Sequence, residues 1–84
     1  MSSDLRNRFN KLIAAVFNME VSGIRDDRGP HDIRAWDSLG QLNLILQVEN
    51  EFEVMFDIED VFSFFTVGDV YRSLQNKLGL GSDD

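Results

Sequence analysis

Residues 36–54, WDSLGQLNLILQVENEFEV, place an Asp-Ser-Leu step, a leucine-rich run and three glutamates in one stretch that has no lysine or arginine. Leu42, Ile45, Val48 or Glu49, and Phe52 recur at the spacing of one helix face, and Leu39, Leu44 and Leu46 widen that stripe. An amphipathic helix with one apolar flank outside the core is therefore expected. It opens at Asp37 or Ser38, whose side-chain oxygens can accept from backbone N–H groups that a helix start leaves unpaired. Capping alone accounts for a serine there, at about 1 kcal/mol over alanine. The glutamates are harder to explain. Glu49 and Glu53 lie four residues apart, where a helix would make them repel by roughly 0.2–0.5 kcal/mol, and toward the end at which the macrodipole disfavours negative charge.

Outward from this stretch the chain reads as helices. In DLRNRFNKLIAAVF the residues Leu5, Phe9, Leu12, Ile13, Val16 and Phe17 follow helical rhythm, with Ser3 or Asp4 as N-cap. The rhythm stops in NMEVSGIRDDRGPHDIRAW, where glycines, Pro30 and paired aspartates predict a long surface loop. FDIEDVFSFF predicts a brief third helix, with Asp57 as cap and Asp60 at the N3 position. TVGDVYRSLQNKL predicts a fourth, capped by Thr66 and Asp69, with Val67, Val70, Tyr71, Leu74 and Leu78 on one face and Gly79 as its stop. The expectation is an all-α, small four-helix bundle of three longer helices and one short third helix, occupying residues 1–79, with 80–84 as a flexible tail.

Eighty-four residues suffice for one modest core. The absence of cysteine excludes disulfides, thiolate metal sites and cysteine nucleophiles, and fits a reducing cytoplasm. No apolar run approaches membrane-spanning length, and the first residues lack a hydrophobic signal core. A net charge of −7 argues against nucleic acid, whose phosphates require clustered Lys and Arg. The imbalance is local: Asp37, Glu49, Glu51, Glu53, Asp57, Glu59 and Asp60 stand between Asp37 and Thr66 with no base, whereas acids and bases balance elsewhere. A basic partner is the sharper explanation, and a solvated acidic face the plainer one.

The sequence offers no catalytic set. His31 is the single histidine and sits in a Gly-Pro-His-Asp loop without a second metal-type partner at suitable spacing. Asp57, Glu59 and Asp60 lack the ladder, central glycine and distal glutamate of a calcium loop. Ser38, His31 and Asp37 could be drawn as a triad, but no nucleophile-elbow glycines flank the serine. No catalytic or metal-binding residue is expected.

The conjunction of a serine at a helix start, an apolar flank behind it and an acidic face along the same helix resembles the acyl carrier protein family, from Trp36 to about Leu74. DSL at 37–39 is similar to the family's attachment motif, LNLILQVENEFEVMF to its second helix, and TVGDVYRSL to the start of its last helix. The wording WDSLG is closer to discrete carriers of specialised biosynthetic pathways. The resemblance implies a non-enzymatic carrier in which Ser38 bears 4′-phosphopantetheine and Asp37 lies near the magnesium of the phosphopantetheinyl transferase. It makes Leu39, Leu46, Glu49 and Glu53 a surface for basic partner enzymes, and Leu42, Phe56, Phe64 and Val67 interior or acyl-cleft residues. Acyl cargo of fatty acid or polyketide synthesis is implied first, aminoacyl or peptidyl cargo second, on a monomer. The alternative from another class is an acidic interaction module whose serine only caps a helix. Gly40, Gln41 and Asn43 stand where fatty-acid carriers often have acids, and Phe62, Phe64 and Phe65 are either ordinary core around the third helix or bulk that narrows an acyl cleft.

Overall fold

Asparagine and glutamate, not glycine, end the first two long helices of this chain. The computed structural model describes residues 2–79 and contains α1 (Ser2–Phe17), α2 (Ser38–Phe52), α3 (Ile58–Phe62) and α4 (Val67–Lys77), with a 3₁₀ turn at Val21–Gly23 between the first two. No strand occurs among the described residues, so the all-α reading holds, and the expected tail at 80–84 lies outside them. Asn18 and Glu53 adopt the left-handed conformation at φ 55° each. The six-residue closing bonds Met19 N–H to Ala14 O (2.9 Å) and Val54 N–H to Glu49 O (3.2 Å) seal these ends.

Because α1 begins at Ser2, the expected cap residues Ser3 and Asp4 both fall inside the helix, and Asp4 instead contributes a favourable charge to its first turn. The two later helix starts match their sequence signals. The Asp60 carboxylate accepts from the Asp57 N–H at 3.0 Å and so closes the first turn of α3. At α4, Thr66 Oγ1 accepts from the Asp69 N–H at 3.3 Å, while Asp69 Oδ2 accepts from the N–H groups of Thr66 (3.1 Å) and Phe65 (3.0 Å). The next two α4 donors reach into the long loop, Val67 N–H to Arg28 O (2.8 Å) and Gly68 N–H to Asp26 O (3.0 Å). The loop thereby satisfies donors that the helix cannot satisfy itself.

One core joins all these parts. Phe9, Ile13 and Phe17 of α1, Leu44, Val48 and Phe52 of α2, and Val67, Val70, Tyr71 and Leu74 of α4 are buried together. Each large apolar side chain removed from water in this way stabilises the fold by about 1.5–3 kcal/mol. The long loop is more than a surface crossing. It sends Ile24, Ile33 and Trp36 into the core, and the Trp36 ring stacks on Phe17 at 5.4 Å between centroids. Leu78, expected on the buried face of α4, is partly exposed where the helix runs out, and Gly79 at φ 78° ends it.

The α2 stripe differs from its sequence reading. Leu44, Val48 and Phe52 form the buried line, with Ile45 packed beside it. Leu42 is 54% exposed and belongs with Leu39 and Leu46 to a second line on the outer face. Both lines have helical spacing, and the core selects the one that points between α1 and α4.

Candidate functional site around Ser38

The first turn of α2 divides two roles between adjacent residues. Asp37 is the N-cap: its Oδ1 accepts from the Gly40 N–H at 2.8 Å, and its carbonyl accepts from the Gln41 N–H at 2.8 Å. Ser38 is therefore the first helical residue, exposed, and its hydroxyl has no hydrogen-bond partner among the described residues. The capping explanation for the serine is thus taken over by its neighbour. At the N3 position, where α3 and α4 carry an acid that reaches back to the cap, α2 has Gly40. A β-carbon there would overlap the Ala35 carbonyl oxygen, so the entering loop presses directly against this turn.

Two open grooves flank the turn. One, of ≈ 520 Å³, runs along the α1 side and is lined by Val16, Ala35, Leu39, Leu42, Asn43 and Leu46. The other, of ≈ 580 Å³, lies toward α3 and includes Ser38, Gln41, Val61, Phe62, Phe64 and Phe65. Asp37 borders both. A bridge crosses the second groove, in which Trp36 Nε1–H donates to Gln41 Oε1 and Gln41 Nε2–H donates to the Val61 carbonyl at 3.3 Å. By residue type Gln41 is only a neutral side chain where fatty-acid carriers often have an acid. An isolated glutamine carries no signal that it will span two elements, and only its fold neighbours reveal it.

The residues implied by the resemblance are placed as follows. Leu39 is 75% exposed, Leu46 about half exposed, and Glu53 exposed. Glu49 is only partly exposed, and its Oε2 accepts from the Phe56 N–H at 2.9 Å, which commits one oxygen to the α2–α3 connection. Glu53 is the C-cap of α2 with φ 55°, its N–H donating to the Glu49 carbonyl, so its side chain leaves a backbone that is no longer helical. Phe56, Phe64 and Val67 are buried, the two phenylalanines edge to face at 5.1 Å, whereas Leu42, expected in the interior or cleft, lies outside the buried core and lines the α1-side groove. His31 is exposed in the loop.

The acidic segment is less uncompensated than its sequence suggests, since bases arrive from elsewhere. Arg8 of α1 pairs with Glu51 at 3.1 Å, and Lys77 of α4 reaches Asp57 at 2.9 Å and Asp60 at 3.1 Å. Asp37, Glu49, Glu53 and Glu59 retain no basic partner among the described residues. The Asp57 N–H holds the Asp60 carboxyl below its ordinary range, with help from Lys77, while Asp57 and Asp60 raise Lys77. Among the described residues no three His, Asp or Glu side chains converge to hold a metal ion, and no helix is long and apolar enough to cross a membrane.

No family model matches the chain. Individual proteins do. The acyl carrier protein of Thermotoga maritima is 26% identical over 76 residues, spanning 90% of this chain and 94% of its own length. That of an Exiguobacterium species is 28% identical over 68 residues, spanning 81% and 86%. Among solved structures, a Mycobacterium tuberculosis protein assigned as an acyl carrier protein is 30% identical, covers 83% of this chain and 93% of its own, and superposes with a TM-score of 0.75. The solution structure of the holo acyl carrier protein of Geobacter metallireducens superposes at 0.79 with 26% identity, covering 87% of this chain and 84% of its own. The helical bundle and these near full-length likenesses define one class: the chain belongs to the acyl carrier protein family. In that general sense it is a carrier.

Proposed function

We propose that this protein holds acyl intermediates as thioesters on a 4′-phosphopantetheine arm attached to Ser38, and presents them to enzymes of fatty acid, polyketide or related synthesis without catalysing a reaction itself. The observation that carries this reading is the division of labour at the α2 start. Asp37 does the capping, so the exposed Ser38 hydroxyl is left unengaged between two open grooves. These residues fit the group, because attachment costs the fold no hydrogen bond and meets no wall. When bound, the arm supplies a terminal thiol to which cargo is joined. Attachment would join Ser38 Oγ to the arm's phosphorus, with adenosine 3′,5′-bisphosphate as the leaving group of coenzyme A and the hydroxyl proton lost to a base. Asp37, next in sequence to Ser38, keeps Oδ2 free of described partners, an oxygen that would be available to the transferase's magnesium.

Leu39, Leu46 and Glu53 form an exposed apolar and acidic surface suited to basic partners, with Glu49 contributing the oxygen that Phe56 does not use. Opposite charge favours fast, weak and repeated encounters, which a carrier visiting several enzymes needs. The protein is read as a cytoplasmic monomer. Incubation with a promiscuous phosphopantetheinyl transferase and coenzyme A, followed by intact mass, tests the assignment. A single addition is expected, absent in a folded Ser38→Ala variant. A wild-type protein that stays unmodified while folded would leave the acidic interaction module as the better reading.

A further inference from the structure

The groove on the α3 side of Ser38 has an unusual section. Its outer wall carries Phe62 and Phe65, 72% and 70% exposed, and its inner side carries the polar bridge from Trp36 through Gln41 to the Val61 carbonyl. Phe64 of the same lining belongs to the buried Phe56–Phe64 edge-to-face pair, in one core with the fully buried Leu44, Val48 and Val67. Gln41 uses both ends of its amide, one as acceptor and one as donor, to tie the α2 entry to α3. Entry of a flexible aliphatic chain between α2 and α3 would have to part this tie, leaving an indole N–H, an amide and a carbonyl facing methylene groups that cannot hydrogen-bond. The exposed rings of Phe62 and Phe65 offer the opposite: apolar surface lining the same groove as Ser38, with no polar contact of the bridge to break.

Resting on the assignment of Ser38 as attachment point, we infer that Gln41 is a specificity residue that closes the core to cargo, and that the cargo is a short aryl acyl group lying against Phe62 and Phe65 in the external groove. The chemistry follows from the walls. A ring gains stacking or edge contacts on exposed phenylalanines, whereas a long aliphatic chain gains most from an enclosed interior that the bridge denies it.

The test loads Ser38 with benzoyl or octanoyl coenzyme A through a promiscuous transferase, reads loading by intact mass, and follows amide chemical shifts together with emission from Trp36, the single tryptophan. In the wild type, benzoyl loading is expected to shift Val61, Phe62 and Phe65, and neither cargo to shift Leu44, Val48 or Val67. In Gln41→Ala, octanoyl loading is expected to shift those three core amides and change Trp36 emission. Gln41→Glu, which keeps the acceptor for Trp36 but lacks the donor to Val61, supplies the same comparison should the alanine variant not fold. Core shifts from octanoyl in the wild type overturn the inference. So does a benzoyl response that survives Phe62→Ala/Phe65→Ala, or a core that stays silent in a folded Gln41 variant. Absence of any mass addition strikes the Ser38 assignment itself, and so is distinguishable from a loaded protein whose cargo goes to the wrong place.

Discussion

The starts of α2 and α4 solve the same physical problem differently. Both helices follow an extended residue whose side chain accepts from the N3 backbone, Asp37 from Gly40 and Thr66 from Asp69. At α4 the exchange is reciprocal, because Asp69 reaches back to Thr66 and Phe65 while loop carbonyls take the next two donors. At α2 it runs one way, because Gly40 has nothing to return. The α4 start is closed within the fold, and the α2 start keeps its serine hydroxyl and one cap oxygen for other uses. Under the proposed assignment of Ser38, the α2 start is open to attachment because its neighbour does the capping and no N3 acid reaches back.

Breaking this contrast at its tightest point should have the largest effect. Gly40→Ala would gain up to about 1 kcal/mol by helix propensity, yet the Ala35 carbonyl leaves no room for a β-carbon. A net loss of about 1–3 kcal/mol is expected in urea unfolding. A Gly40→Ala protein as stable as the wild type would mean that the loop does not press on α2 as described. Next come the caps. Asp69→Ala removes two backbone bonds and should cost about 1–2 kcal/mol, and Asp37→Ala about 1 kcal/mol. Ser38→Ala should stay within about 0.5 kcal/mol of the wild type. If Ser38→Ala and Asp37→Ala prove equally costly by the same urea measurement, the serine shares the cap and is not free. The smallest effect concerns acid. The Asp60 carboxyl titrates below its ordinary 3.8 in the folded protein, so its bond to the α3 start adds stability above that value and loses it as pH falls through the folded pKa. Melting temperatures followed from about pH 5 to about pH 2 should therefore fall less steeply in Asp60→Asn than in the wild type, and parallel curves would contradict the shift.

Much of this was legible residue by residue. The caps Asp57 and Thr66, the N3 acids Asp60 and Asp69, and the stop at Gly79 are local patterns whose hydrogen bonds close within a few residues, so sequence order suffices to read them. The α1 face of Leu5, Phe9, Leu12, Ile13, Val16 and Phe17 is equally plain by spacing, and all six lie in or against the core, with Phe9, Ile13 and Phe17 buried. On α2 two lines compete: periodicity puts Leu42 and Leu44 in one widened stripe, and packing buries Leu44 while leaving Leu42 outside. Ile24, Ile33 and Trp36 lie in a stretch without period, and their burial depends on where the loop crosses. At the candidate site the Asp-Ser step is visible, but the choice of Asp37 as cap, and with it the freedom of Ser38, depends on how the entering loop turns the Asp37 carboxylate onto the Gly40 N–H.

From order alone come the all-helical architecture, the helix boundaries set by short-range capping, and the concentration of acid between residues 37 and 66. Tertiary structure decided which α2 leucines face water, that Arg8 and Lys77 neutralise part of the acid, and that Gln41 spans from Trp36 to Val61. The reason is range. A capping bond or a helical period is complete within one or two turns of chain, whereas an ion pair between α1 and α2, or a bridge from α2 to α3, exists only once distant segments have been brought together by burying a common core.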